Sequence, residues 1–296
     1  MPRRTAPAPL LVIGAVASVQ IGAAVAKDLF PDAGPGGAVF VRIGIAALLL
    51  LAVARPRLLG RPRGDLALAL VFGLVLAAMN ATFYYALDRI PLGVAVTIEF
   101  VGPLAVAIGG SRRILDMLWV ALAAIGVVLL TGGAGGHADA LGVLLALVAG
   151  AFWAAYILLS QRVGKVFPAA DGLALAMAAG TVALVPVGVI SAGDRLLNGS
   201  VLWRGLVVAL LSSALPYSLE LYALRRLRAS VFGVLMSVEP AFAAASGLVF
   251  LGEHLRVVEW IAIGCVVVAS VGATRRTPDE DLPVDPAATP PELVAR

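Results

Sequence analysis

Three glutamates lie within long apolar stretches of the sequence, where an ionisable side chain is unusual. They are Glu99, Glu220 and Glu239. A charge inside the hydrocarbon core of a membrane costs about 2.5–3.5 kcal/mol on insertion scales, so such a residue usually faces a cavity or a partner. A carboxylate there can bind an ammonium group, and it can take up a proton because burial disfavours its charged form. We therefore predict proton coupling through one of these acids, and substrate binding by Glu99 and Glu239.

Two of these acids lie close to a proline. Pro103 follows Glu99 by four residues, and Pro240 directly follows Glu239. Proline has no N–H, so Pro103 leaves the carbonyl of Glu99 without its helical partner, and Pro240 does the same for Met236. Interrupted helices at matching places point to the binding site of a transporter, although proline also bends membrane helices that only pack. We predict helix breaks at Pro103 and Pro240.

Other polar side chains fall at similar depths in the apolar stretches. Such groups either contact a substrate or form hydrogen bonds to neighbouring helices. The further substrate-binding candidates are Gln20, Asn80, Tyr84, Trp153, Tyr156 and Tyr217. Arg42 is assigned to neither role, because it can pair with an acid or extend to the membrane surface.

The secondary structure that positions these residues can be predicted from the composition of the chain. The chain is 61% hydrophobic, has a mean hydropathy of +1.00 and is 14% charged, against about 25% for a soluble domain. Lipid offers backbone groups no partners, so apolar runs of this length form helices. We predict an all-α polytopic membrane protein with ten transmembrane helices, over residues 9–27, 36–54, 66–87, 92–110, 116–132, 140–160, 172–192, 203–223, 230–251 and 256–274.

Positive charges are unevenly divided between the two sets of loops. Loops on the side of the N-terminus hold 16 Lys and Arg residues, and the opposite loops hold five. The positive-inside rule predicts that both termini are cytoplasmic. The high pI reflects this bias and does not indicate nucleic-acid binding. The first run resembles a cleavable signal peptide in its Arg3–Arg4 start and its Ala24–Ala26 end, but its length favours an uncleaved helix.

The sequence resembles itself at an offset of 137 residues. The matches are LFP at 29–31 with VFP at 166–168, YALDR at 85–89 with YALRR at 222–226, and Pro103 with Pro240. Each repeat contains five predicted helices, an odd number, so the second enters the membrane with inverted topology, as in secondary transporters. We predict one repeat over residues 1–136, a second over 137–274 and a disordered cytoplasmic tail over 275–296. The alternative is a repeat kept in a protein that transports nothing.

Motifs for soluble enzymes are missing from the sequence. It contains no HExxH, GxSxG or GxxxxGK[ST], and His137, His254 and Cys265 are too few for a metal set. We expect no enzyme activity, metal or cofactor. A membrane-embedded enzyme would need paired catalytic groups near one surface, and a scaffold would not need acids at mid-membrane depth. The sequence makes no prediction of the oligomeric state.

Several segments carry a family resemblance. They include SVQIGAAVAKDLFP at 18–31, EFVGPLAVA at 99–107, LPYSLE at 215–220 and LGE at 251–253. The chain resembles the drug/metabolite transporter superfamily, in its ten-helix EamA-type branch, and within it the bacterial threonine/homoserine exporters. The residues that match the pattern are Gln20, Asn80, Glu99, Tyr156, Glu220 and Glu239. Ala81 departs from it, since a bulkier residue is expected there, and this puts the particular substrate in doubt.

The resemblance implies an exporter of the bacterial inner membrane that is driven by protons. Its cargo would be small amino acids or related metabolites, bound in a central cavity. We expect Glu99 to hold the substrate ammonium and a proton to displace it, with Glu239 as the second choice of proton carrier. Asn80, Tyr156 or the peptide groups near Pro103 and Pro240 would meet the substrate carboxylate. Other possible cargoes of the same fold are aromatic amino acids, purines and cationic compounds.

Overall fold

The computed structural model describes residues 8–56, 60–109, 114–132, 139–168, 170–224, 227 and 229–274. Within these ranges the regular elements are helices, and no strand is present. The prediction of an all-α protein is therefore confirmed for the described part of the chain. The tail predicted over residues 275–296 lies outside it.

The described ranges contain thirteen α-helices. A 3₁₀ turn at Gly193–Leu197 follows α8, and a π-helical segment at Leu210–Ala214 joins α9 to α10. The α-helices are α1 Ala8–Asp28, α2 Phe30–Ala54, α3 Arg63–Leu87, α4 Leu92–Glu99, α5 Val101–Gly109, α6 Ile114–Gly132, α7 Ala140–Val166, α8 Asp171–Ala192, α9 Gly199–Ala209, α10 Leu215–Leu224, α11 Ala229–Met236, α12 Glu239–Leu251 and α13 Val257–Thr274.

Eight helical stretches in the described part are long and apolar enough to cross a membrane. Each has at least 18 residues and a mean hydropathy between 1.8 and 2.4, and 18 residues of helix span about 27 Å, close to the thickness of the hydrocarbon core. Two shorter apolar helices cover Met117–Leu130 and Gly199–Ala214. Large apolar side chains point outward, and Val53, Ile190 and Val257 are 82%, 87% and 74% exposed. Such a surface fits a multi-pass membrane protein, since lipid would cover it.

Helix α4 lies at the centre of the bundle. All eight of its residues are buried, and it packs against α3, α7 and α12. Around it, α2 packs on α8, α3 on α7 and α8, α1 on α10 and α12, and α6 on α13. Small residues allow these close approaches: a Cβ at Gly93 of α4 would lie 2.7 Å from the Cα of Ala244 in α12.

Helix α2 begins earlier than the sequence predicts. It starts at Phe30, six residues before the apolar run at 36–54, and bends at Gly34, where φ is +66°. Glycine adopts this conformation without the steric cost of a Cβ, and the helix resumes at Pro35. Arg42 therefore lies twelve residues from the start of α2, which is about 18 Å along the helix axis. This places it halfway along the helix rather than near an end.

Candidate functional site

A cavity of about 240 Å³ lies near the middle of the bundle. Its walls come from α1, α2, α3, α4, α7, α10, α11 and α12 and from the π-helical segment. Seven of the residues that the sequence singled out line it: Gln20, Asn80, Glu99, Trp153, Tyr156, Glu220 and Glu239. Residues that are more than 200 positions apart in the chain thus face one space.

The other predicted residues lie elsewhere in the described structure. Tyr84 is fully buried behind the cavity wall, and neither Pro103 nor Pro240 is among the described lining residues. Tyr217 belongs to α10, but its side chain lies outside the described part. Ala81, the departure from the family pattern, packs against the apolar core instead of lining the cavity.

Two helix interruptions flank the cavity. Helix α4 ends at Glu99, and α5 begins after Phe100. Helix α11 ends at Met236, and α12 begins at Glu239. Each break precedes a proline by a few residues, and each brings an acid to the end of a short helix. Glu239 lies in the first turn of α12, where the positive end of the helix dipole favours a negative charge.

The break after α4 is held against α7 by small residues. A Cβ at Gly150 of α7 would lie 2.6 Å from the carbonyl oxygen of Glu99, the same oxygen that Pro103 leaves without a helical donor. On the adjacent turn, Gly102 packs directly against the backbone of Gly150. The ring of Trp153 meets Phe100 edge-on at 5.6 Å between centroids. Helix α7 therefore fixes the position of Glu99 through backbone contact.

Several buried polar atoms at the cavity have no hydrogen-bond partner in the part of the chain that the structure describes. The Nε2 atom of Gln20 donates to Oε1 of Glu239 at 2.9 Å. Among the described residues, nothing pairs with Oε1 of Gln20, Oε2 of Glu239 or Oγ of Ser212. Buried polar atoms in native structures are nearly always paired. A group of them around one cavity indicates a place where a polar ligand binds.

The π-helical segment contributes to this wall. Ser212 lies within it, and the hydroxyl of Ser18 in α1 donates to the carbonyl of Leu211 at 2.6 Å. A π-helical turn widens the backbone spacing and changes which side chains face inward, and such turns are frequent at functional sites. Hydropathy alone does not predict that this segment is π-helical.

The charges around the cavity influence one another. Glu99 lies within electrostatic reach of Glu239 and Arg42, and Glu239 within reach of Glu220. Like charges repel strongly where water is scarce. The acids together therefore favour the binding of a cation, either a proton or an ammonium group.

Arg42 is a lining residue that the sequence left unassigned. Its Nη1 atom donates to the hydroxyl of Tyr84 at 3.1 Å, and its guanidinium lies 5.6 Å from the centre of the Tyr84 ring. The sequence feature that could have identified it is its position as the single cation inside an apolar run. The described residues contain no group of three His, Cys, Asp or Glu side chains that could hold a metal ion.

Membrane-length helices around a small polar cavity, with two interrupted helices beside it, define the class of membrane transporters. A solved crystal structure with 18% sequence identity has the same fold, with a TM-score of 0.63 over 91% of this chain and 97% of its own.

Sequence comparison shows which kind of membrane transporter the chain resembles. Residues 140–275 match the EamA-like transporter family. The chain is 45% identical over 275 residues to the threonine/homoserine exporter RhtA of Salmonella typhimurium, which covers 91% of this chain and 92% of the exporter. It is 44% identical over 268 residues to RhtA of Escherichia coli, covering 90% of each chain. The uncharacterized inner membrane transporter YedA of Escherichia coli is 28% identical over 79% of each chain.

The chain therefore belongs to the EamA-like transporter family. It is a membrane transporter rather than an enzyme. The resemblance to the drug/metabolite transporters that the sequence indicated is confirmed.

Proposed function

We propose that the protein exports threonine, homoserine or similar small amino acids across the bacterial inner membrane in exchange for protons. The observation that carries this proposal is the central cavity, which joins Glu99 and Glu239 from two interrupted helices with the cation of Arg42. The identity of 44–45% to two exporters named for threonine and homoserine supports the substrate class. The name of YedA supports the inner membrane.

The size of the cavity favours a small substrate. Sites for drug-sized ligands enclose about 300–1,000 Å³, whereas this cavity encloses about 240 Å³. Threonine fills less of this space than an aromatic amino acid or a cationic drug does. Ala81, the departure from the family pattern, is not among the described lining residues and packs against the apolar core.

The architecture we propose is two inverted repeats of five membrane helices, over residues 1–136 and 137–274. The helix breaks support it, because the residues at the breaks, Phe100 and Ser237, differ by the repeat offset of 137. The packing also supports it. The contact of α3 with α7 has its counterpart in the contact of α10 with α1, and the repeat-equivalent helices α2 and α8 pack on each other, as do α6 and α13. Rocking of such halves would expose the cavity to one side of the membrane and then to the other.

The membrane orientation we propose has both termini in the cytoplasm. The bias of positive charge toward the loops on the side of the N-terminus supports it. The cavity would then load its substrate from the cytoplasm and release it on the outer side.

Glu99 is our first choice for the exchanging acid. In the cytoplasm-facing state its carboxylate would bind the substrate ammonium by a charge-assisted hydrogen bond. A proton from the outer side would then neutralise the carboxylate and release the substrate. Glu239 is the second choice, because one of its oxygens accepts from Gln20 and the other has no partner within the described ranges. Glu220 lies at the same cavity and would assist proton entry.

The test is uptake of labelled threonine into everted membrane vesicles with an acidic interior. We expect wild-type uptake that stops when an ionophore removes the pH gradient. Glu99→Gln should abolish gradient-driven uptake, while the control Glu259→Gln, an acid in the first turn of α13, should behave like the wild type. Wild-type uptake by Glu99→Gln would refute its role. If only Glu239→Gln lost proton-coupled uptake, Glu239 and not Glu99 would be the exchanging acid.

The substrate class has a separate test. The purified protein would be screened by thermal unfolding against threonine, homoserine, phenylalanine, adenine and a cationic dye. A ligand that binds only the folded protein raises its Tm. Stabilisation by threonine and homoserine supports the proposal, and stabilisation by adenine or the dye alone contradicts it.

A further inference from the structure

We infer that Arg42 binds the α-carboxylate of the substrate, so that Arg42 and Glu99 together recognise a free, zwitterionic amino acid. The inference rests on the proposed function and extends it to the chemical group that every substrate must carry. It starts from the position of Arg42, halfway along α2 and facing the cavity. A cation that only extended to the membrane surface would lie near a helix end.

The guanidinium of Arg42 is held in place but is not saturated. Nη1 donates to the Tyr84 hydroxyl, whereas the buried Nε has no hydrogen-bond partner among the described residues. A guanidinium offers five N–H donors in a rigid plane, and a carboxylate accepts two of them side by side. The N–H groups of Arg42 that Tyr84 does not engage therefore suit a substrate carboxylate.

Tyr84 fixes the orientation of this arginine. Its side chain is fully buried, and its ring packs near Phe30 and Phe83 at 5.7 and 6.4 Å between centroids. The ring and the hydroxyl both engage the guanidinium. Tyr84, which the sequence marked for substrate binding, is thus a positioning residue that acts through Arg42.

The charge of Arg42 has no close carboxylate partner within the described part of the chain. None of the ion pairs found there involves it, although Glu99 lies within electrostatic reach across the same cavity. An α-amino acid carries an ammonium and a carboxylate on one carbon atom. Bound between Glu99 and Arg42, it satisfies both charges at once.

This arrangement predicts selectivity for the α-carboxylate. An amino-acid amide keeps the ammonium but presents a neutral group to Arg42, and a simple amine presents nothing there. Losing a hydrogen bond to a charged group weakens binding by about 10- to 100-fold. Threoninamide should therefore compete far less well than threonine for the site.

The experiment measures competition against labelled threonine in counterflow, using proteoliposomes that contain the full chain. Wild-type protein should prefer unlabelled threonine over threoninamide by about 10- to 100-fold. Arg42→Gln should bring the two competitors close to equal potency and raise the KM for threonine. Arg42→Lys, which keeps the charge but loses the planar fork, should retain part of the preference. Arg89→Gln, remote from the cavity, should leave the preference unchanged.

Four outcomes decide between these possibilities. Equal competition by threonine and threoninamide in the wild type overturns the inference while leaving amino-acid export intact. An unchanged preference in Arg42→Gln overturns it as well. If no amino acid supports counterflow in the wild type, the proposed function itself fails. If the Tm shows that Arg42→Gln does not fold, the preference of Arg42→Lys for threonine over threoninamide is used instead. A preference equal to that of the wild type overturns the bidentate contact.

Discussion

Replacement of Gly150 by alanine tests whether contact with α7 positions the acid at the helix break. A Cβ at Gly150 would lie 2.6 Å from the carbonyl oxygen of Glu99 and 3.3 Å from its carbonyl carbon and Cα, and ordinary contact begins at 3.4 Å. All three atoms are backbone, so no side-chain rotation relieves the overlap. Helix α4 would have to move by about 0.8 Å, the difference between 3.4 and 2.6 Å. Because all of its residues are buried, the movement would disturb its neighbours.

Gly164 of the same helix provides the matched control. A Cβ there would meet no atom of the described residues within 4 Å. Alanine in place of glycine inside a helix gains about 0.5–1 kcal/mol, and this gain applies to both variants. Overpacking of a well-filled interior costs about 1–3 kcal/mol, and it applies only to Gly150→Ala. We therefore expect Gly150→Ala to be less stable than Gly164→Ala by about 1–3 kcal/mol.

Thermal unfolding of the two purified variants in the same lipid nanodiscs measures this difference. Uptake of labelled threonine into everted vesicles then reports on Glu99, and we expect it to fall in Gly150→Ala and to remain normal in Gly164→Ala. Equal Tm values together with equal uptake would refute the reasoning, because they would mean that α4 accommodates the added carbon without moving.

Two further predictions concern ion pairs outside the cavity. The hydrogen bond from Arg89, followed by that from the backbone N–H of Gly142, lowers the pKa of the Asp139 carboxyl below its usual 3.8. The lowered pKa stabilises the folded protein above the unfolded pKa of about 3.9, and this contribution is lost as the pH falls through the folded value. Asp139→Asn should thus lower the Tm at neutral pH, and this effect should shrink as the pH falls through the folded pKa. An effect on the Tm that does not change with pH would contradict this reasoning. Lys27 donates to Glu253 at 2.7 Å, so Lys27→Met should lower the Tm by leaving that carboxylate without its cation; Lys27→Met combined with Glu253→Gln should recover part of the loss, and no recovery would count against the pair.

Much of the fold was predictable from the sequence because the solvent leaves so few alternatives. In lipid, every backbone group needs a partner within its own segment, so each long apolar run had to form a helix. The predicted limits of α3 and α13, at 66–87 and 256–274, lie within three residues of the observed helices. The start of α2 was wrong, because Gly34 and its neighbours reduce hydropathy without ending the helix.

The candidate site was only partly predictable. An acid inside an apolar run can be recognised from the sequence, and Glu99 and Glu239 both face the cavity. Arg42 and Tyr84 were harder to assign because their roles depend on each other. The sequence pattern shows that each residue is polar and lies within an apolar run. It does not show that the hydroxyl of Tyr84 accepts a hydrogen bond from Arg42.

The sequence by itself determined the apolar surroundings, the helical fold and the position of the acids within apolar runs, because each follows from composition and chain distance. Only the tertiary structure decided which face of each helix looks inward. The interior of the bundle and the surrounding lipid are both apolar, so the helices carry no periodic pattern that separates the two sides. The meeting of Glu99, Glu239 and Arg42 at one cavity results from packing between distant helices, and no local feature of the chain encodes it.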